Sequence, residues 1–408
     1  MESVRPAGSV FSPLDEELAL LAGSVTPRLH EQMVRLGSWI PSFRQAAAVL
    51  EDFTGVFVSE ASGRRYTEKA GAAYVAIEEA TVTQIERELP PAPVGVKKLQ
   101  MSVDGVMVPL VGGEWAEVKN MVIGEIGEPV EERGEQVVHL TNLSYFSRLS
   151  TSEQFQRQTL AETHRRGVES AQMVAAVNDG AEWIQGFVDY HRPDAVRILD
   201  FPHSAGYVSQ IGQAALGAEE SRTWLADQLH TLKHEGIEPV FVELEAQVAQ
   251  HPDQIDALRY LEKRKKQMAY PTFQAAGLPI ASGSVESGNK LVVEARMKGS
   301  GMHWARVHVD PMLALRNVVC NDRWEEAWPA IVHELRRQAR RPKPTPTARP
   351  VDSLPALVPT PRPTPQKEAQ PAVPSIPAPP KDLPILGPHR PAANHPWRHS
   401  FIGNDRRL

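Results

Sequence analysis

One cysteine, Cys320, stands in a chain of 408 residues. A single thiol excludes an internal disulfide framework and any structural zinc site built on paired cysteines, and it fits a reducing compartment. Long apolar runs are missing as well. No segment approaches the uninterrupted length of a membrane span, so no membrane partner is expected. The first residues, MESVRPAGSVFSPLDEELALLAGS, carry acids where a secretory signal needs cations, which makes a cytoplasmic location the expectation. Excess positive charge is absent too: the formal net charge is -6, which argues against coating nucleic acid by charge alone while leaving local fields open. HExxH, Walker and GxSxG patterns do not occur, which removes the zincin, P-loop and serine-hydrolase chemistries.

What is present falls into regions. Residues 1–95 read as helical, and PSFRQAAAVLEDFTGVFVSEASGRRYTEKAGAAY reads as a helix, a turn at Gly55 and a second helix capped by Ser59. That is a helix-turn-helix layout, in which Arg64, Arg65 and Lys69 on the second helix would contact DNA in the major groove. An ordinary helical hairpin carries the same pattern. ELPPAPVGV then breaks the chain. From Lys97 three stretches, KKLQMSVDGVMVPL, EWAEVKNMVIGEI and QVVHLTNLS, predict an antiparallel meander. In the first, Leu99, Met101 and Val103 share one face, Gln100, Ser102 and Asp104 the other, and Gly105 reads as a turn. The acidic loop GEPVEERGE lies between the second and third. Ser150 and Glu153 suggest a capping box. SAQMVAAVNDGAEWI and AVRILDFPHSAGYV follow as two buried strands ending near Asp179 and Asp200.

The predicted fold class is α/β: a mixed sheet core over 96–204 and 276–341, interrupted by a helical insertion at 205–275. Residues 342–408 hold about half of the chain's prolines, lack apolar periodicity and end in HPWRHSFIGNDRRL, so an extended or disordered tail is expected.

The stretch from Pro279 to Trp304, PIASGSVESGNKLVVEARMKGSGMHW, sets a carboxylate at a helix start and cations after it. Helical spacing puts Glu286, Lys290, Val293 and Met297 on one face, with Arg296 and Lys298 beside it. Taken alone, Glu286 and Lys290 read equally as a surface ion pair. Together with strand-ending Asp104 and Asp179, Glu286 completes a set of oxygen ligands suited to magnesium. Two such ions could activate a water or hydroxyl and stabilise a leaving oxygen. Each Asp-Gly pair also reads as a plain turn, and Asp200 competes with Asp179 for the second position.

SVDGVMVPLVGGEWAEVK, VNDGAEWI, ILDFPHSA and ASGSVESGNKLVVEARMKGSGMHW resemble the motifs of bacterial insertion-sequence transposases of the ISKra type, members of the DDE superfamily akin to Mutator-like elements. The resemblance runs from about Gly37 to Trp328. It implies an RNase H-like catalytic core with a helical insertion and an N-terminal helix-turn-helix region in a bacterial protein. It also implies an acidic triad of Asp104, Asp179 and Glu286 holding two Mg2+ ions, or Mn2+. Where many relatives have a tyrosine-histidine pair after the second strand, this chain has Pro202-His203-Ser204. Small Gly206 and Ser209 replace bulkier or charged residues.

The expected activity is DNA transposition. Inverted-repeat ends are bound, a phosphodiester is hydrolysed, and the freed 3'-hydroxyl attacks target DNA. His203 would contact phosphate or base, and Lys290, Arg296 and Lys298 would contact phosphates beside the scissile bond. A homo-oligomer is expected, since two ends must be held together. The alternatives are a non-catalytic DNA-binding protein derived from such an element and a metal-dependent nuclease without strand transfer. Paired carboxylates alone would also suit glycoside hydrolysis, but nothing else in the chain resembles a sugar cleft.

Overall fold

The computed structural model describes residues 25–340, apart from 96, 133 and 217–219. The acids at 15–17 and the proline-rich segment 342–408 lie outside the described residues.

A five-stranded mixed sheet carries the chain's polar face. Its strands are β1 (Lys98–Pro109), β2 (Trp115–Ile126), β5 (Leu140–Arg148), β6 (Met173–Asn178) and β7 (Val196–Leu199), and β3 (Val130–Glu132) and β4 (Glu135–Val137) form a separate hairpin. The order across the sheet is β5-β2-β1-β6-β7. β2 runs antiparallel to both of its neighbours, whereas β6 and β7 run parallel to β1. The expected three antiparallel strands, helix, strand, helix and strand are all present, with the fourth core strand beside the first. The structure is mixed α/β, as expected.

Three local expectations shift. β1 does not turn at Gly105: it pairs with β2 from Leu99 through Pro109, and Val106 and Val108 stay buried beyond Asp104. The predicted third strand splits, and the pairing strand extends through Tyr145 and Phe146 to Arg148. The capping box belongs to Thr151 and Gln154, opening helix α4 (Ser152–Gln158), one residue later than Ser150 and Glu153.

Alternation explains the sheet's two faces. Leu99, Met101 and Val103 pack with Met121, Ile123 and Phe146 against Phe155 of α4 and against Ile184, Phe187 and Val188 of α6 (Glu182–His191), with α5 (Leu160–Arg165) leading toward β6. On the other face the polar half of β1 meets α12 (Gly283–Gly288), which continues as a π-helical segment, Asn289–Glu294, and a last turn, Ala295–Met297. Between lie the helices of the insertion. They are α7 (Phe201–Leu216), α8 (Glu220–His234), α9 (Ile237–Gln250), α10 (Ile255–Lys263) and α11 (Tyr270–Ala275). The expected boundary at 204/205 falls inside α7, which begins at Phe201.

The N-terminal helices are α1 (Pro27–Trp39), α2 (Phe43–Thr54) and the 29-residue α3 (Glu60–Glu88), with Gly55 in the left-handed region between α2 and α3. They do not have a core of their own. Met33, Val34, Leu50, Tyr66 and Ala70 share one cluster with Leu315, Val318, Trp324, Trp328 and Ile331 of α13 (Arg306–Cys320) and α14 (Trp324–Arg340). α3 and α13 touch so closely at Gly71 that a Cβ would sit 2.1 Å from Pro311 O. α13 also covers the outer edge of β5. Asp310 Oδ1, Asn317 Oδ1 and Asn321 Oδ1 accept the N–H groups of Leu149, Ser147 and Tyr145. Side chains thus take the place of a missing strand, satisfying an edge that would otherwise template pairing with another chain. No helix among the described residues is long and apolar enough to cross a membrane.

Candidate active site

β1 and β6 hold their parallel ladder only as far as Met101 and Ala176. Beyond it, Asn178 Oδ1 accepts the Val103 N–H at 2.6 Å. A side chain thus replaces the backbone ladder where Asp104 and Asp179 face the end of the sheet. α12 covers the same region, and Gln100 Nε2 donates to Ser102 Oγ at 2.8 Å and to Ser284 Oγ at 3.1 Å.

Asp104 is half-buried in mid-strand, not at a strand end. Its Oδ1 accepts the Gly105 N–H at 2.7 Å and its Oδ2 accepts Asn289 Nδ2 at 2.7 Å. Burial raises its carboxyl above the ordinary range. Those two hydrogen bonds oppose the rise, and the negative charges of Asp179 and Glu286 add to it. Asp179 and Glu286 thus each lie within electrostatic reach of Asp104. The three carboxylates do not share a coordination point: among the described residues, no group of three or more His, Cys, Asp or Glu side chains is placed to hold a metal ion. The donor set suits a hard cation in kind, being all carboxylate oxygen, but its spacing here does not fit one.

The two competing aspartates part clearly. Asp179 accepts the Ala181 N–H through Oδ1 at 2.9 Å, an Asx turn leading into α6, and Oδ2 makes no hydrogen bond with a described residue. Asp200 is buried, and both its oxygens are occupied: Oδ1 by the Ser282 N–H at 2.6 Å, Oδ2 by the His203 N–H at 3.1 Å. Asp200 ties β7, α7 and the approach to α12 together.

The insertion holds the Asp179 turn. Tyr260 donates its hydroxyl to Asp179 O, and Arg264 Nε donates to Gly180 O at 2.9 Å. Gly180 has φ +80, and a Cβ there would lie 2.6 Å from Arg264 Nε. Tyr207 stacks on Tyr260 with ring centroids 4.2 Å apart, and half-buried His203 lies edge-on to Tyr207 at 5.4 Å.

Glu286 is exposed on α12 and makes no ion pair with Lys290. The π-helical segment begins between them and rotates later residues off the α-helical register. Consequently the predicted shared face divides: Val293 and Met297 are fully buried, whereas Glu286 and Lys290 are exposed. Lys298 is exposed and pairs with Glu294 at 2.9 Å. Arg296, expected at a phosphate, is instead 1% exposed, lying between Phe43 and Trp304 with Nε donating to Gly37 O at 3.1 Å. Burial, reinforced by the charge of Arg316, lowers it to about 10. Its role here is packing between α1 and α12. Arg64, Arg65 and Lys69 are exposed on α3, with the Arg65 guanidinium 5.4 Å from the Tyr66 ring centroid.

Sequence reading missed Asn120, Asn178, Asn289, Tyr260 and Arg264. Only Asn289 carried a usable signal, three residues after Glu286 and so near the same helical face. The others reach the site through pairing and packing between distant segments. No family model matches the chain, and neither does any curated protein.

Proposed function

We propose that the protein is a DNA transposase that binds element ends and target DNA and catalyses metal-dependent strand cleavage and strand transfer on an RNase H-like core. The observation that carries this is that the charges of Asp179, after β6, and Glu286, on α12, both act on Asp104 of β1, although the three carboxylates share no coordination point among the described residues. The sheet order β5-β2-β1-β6-β7 with only β2 reversed supports the RNase H-like reading. Exposed Arg64, Arg65 and Lys69 following the Gly55 turn support DNA contact by α3. Lys290 is an exposed cation four residues from Glu286, which supports a phosphate contact there.

Magnesium, when bound, would supply Lewis-acid stabilisation of the phosphodiester oxygens. Asp104, Asp179 and Glu286 are its candidate ligands. Because they are not gathered in the free protein, magnesium should bind weakly alone and more tightly with DNA present; calorimetry with and without DNA checks this. The decisive experiment uses a labelled duplex made from the DNA flanking the coding sequence. Asp104→Asn, Asp179→Asn and Glu286→Gln should each lower magnesium-dependent nicking at least about a thousandfold while duplex binding persists. Retained nicking removes that residue from the triad.

The missing coordination point favours a second reading, a DNA-binding protein derived from such an element and without catalysis. Duplex binding by the unaltered chain with no nicking at any magnesium or manganese concentration would establish it. Nicking without joined products would instead indicate a nuclease.

A further inference from the structure

A cleft of about 460 Å³ lies among α3, α5, the edge of β5, α13 and α14, and it shares no wall with Asp104, Asp179 or Glu286. Ile77, Ile85, Phe146, Val318 and Ala330 line it on the apolar side, and its volume falls in the range of small-molecule pockets.

Its polar side is a cluster of charges drawn from four parts of the fold. Glu78 of α3 pairs with Arg148 of β5, and Glu162 of α5 accepts from Arg323 at 2.8 Å. Asp310 of α13 adds a third carboxylate, whose Oδ1 is already taken by the Leu149 N–H. Arg148 is 2% exposed and Glu162 5%. Three carboxylates thus share two guanidiniums, which leaves one negative charge in excess; the Arg165–Glu326 pair beside them balances itself. A charge left without a counter-ion in such a setting is costly.

The excess falls on Glu78. Its Oε2 takes Arg148, whereas Oε1 makes no hydrogen bond with a described residue, and 17% of the side chain stays accessible where Glu78 lines the cleft. Burial pushes its carboxyl up to about 7; Arg148 opposes the rise, and Glu162 and Asp310 add to it. Half-buried Tyr74, one turn before Glu78 on α3, lines the same cleft, and an aromatic ring beside a carboxylate suits an organic cation.

We propose that this cleft binds a small organic monocation, an ammonium or guanidinium on an apolar body, with Glu78 as its counter-ion. The site is independent of the transposase reading, and its test uses neither DNA nor divalent metal.

Titration calorimetry of benzylammonium chloride into the full chain should show one saturable site at pH 8. Affinity should be about tenfold weaker at pH 6, because a carboxyl with its midpoint at about 7 is mostly ionised at the first pH and mostly protonated at the second. At pH 7 binding should release about half a proton, read from heats in buffers of different ionisation enthalpy. Benzyl alcohol, of similar shape without the charge, should bind at least about tenfold more weakly at pH 8. Glu78→Gln should remove both the preference for the ammonium and the pH dependence. His164 lines the cleft and pairs with Glu169 at 3.1 Å, so the pH dependence must persist in His164→Gln. Ala330→Leu narrows the cleft without touching a charge and should weaken benzylammonium about tenfold. No saturable binding below about 10 mM, equal affinity for the alcohol, or a preference for the ammonium retained in Glu78→Gln would each overturn the proposal. If Glu78→Gln does not fold, the other two variants decide: an affinity independent of pH in His164→Gln, or unmoved by Ala330→Leu, overturns it.

Discussion

Two neighbouring strand ends carry an aspartate each, and they have opposite fates. At the end of β7, Asp200 is buried with both oxygens taken by backbone amides; at the end of β6, Asp179 has one oxygen without a hydrogen bond to any described residue and acts through space on Asp104. Burial and saturation make the first a structural tie. Partial exposure and spare acceptor capacity make the second available to chemistry. A carboxylate's role here is thus set by how many donors the fold aims at it, which sequence position does not encode.

The largest effect should separate the two ends outright. Asp179→Asn retains an oxygen for the Ala181 N–H, so Tm should stay within about 2 °C while nicking falls at least about a thousandfold. Asp200→Asn should do the reverse. Ser282 and His203 donate to different oxygens of Asp200, so in the amide one of the two N–H groups faces an NH2 donor and about 2–3 kcal/mol of stability is lost, with nicking per folded molecule largely kept. Urea unfolding and single-turnover nicking check both; the opposite pattern would exchange the two roles.

A buried histidine adds a pH dependence that belongs to neither end. His30 is 2% exposed, and burial first, then the charge of Lys69, lowers it to about 4. Folded His30 stays neutral where the unfolded chain takes up a proton, so its contribution is lost as pH falls from about 6.5 to about 4, up to about 3 kcal/mol. Urea unfolding at pH 7 and pH 5 should show a shallower acid loss in His30→Phe. An unchanged slope would exonerate His30.

Gly180→Ala strikes the β6 end alone. The left-handed φ and the crowding by Arg264 and Tyr260 should cost about 1–2 kcal/mol and lower nicking by displacing Asp179, with no effect on the Asp200 end. Tyr260→Phe removes one hydrogen bond to Asp179 O and should cost about 1 kcal/mol, read as a small drop in Tm. Equal sensitivity of both ends to either substitution would break the comparison.

Much of the fold was legible because it follows from local periodicity. Leu99, Met101 and Val103 opposing Gln100, Ser102 and Asp104 fixed both faces of β1, and the apolar runs before Asp179 and Asp200 marked two buried strands. The turn expected at Gly105 failed because Asp-Gly chemistry is a local preference, overridden by buried Val106 and Val108 pairing onward with β2. Arg296 misled for a related reason. A cation beside an exposed face looks available, yet the last turn of α1 and the start of α2 supply Gly37 O and Phe43 to bury it. A helical domain of its own was expected over 1–95, but no local pattern reveals that α3 would share its core with α13 and α14.

The sequence by itself determined the five core strands in outline, most of the helices and the mixed α/β class, since these depend on residue type and spacing within short windows. Tertiary structure alone decided which aspartate has both oxygens taken, which arginine is buried, and that Asn289 bridges Asp104 and Asn120. Those outcomes depend on donors, burial and charge contributed by segments far apart in the chain, and only the packing of α12 and the insertion on the sheet brings them together.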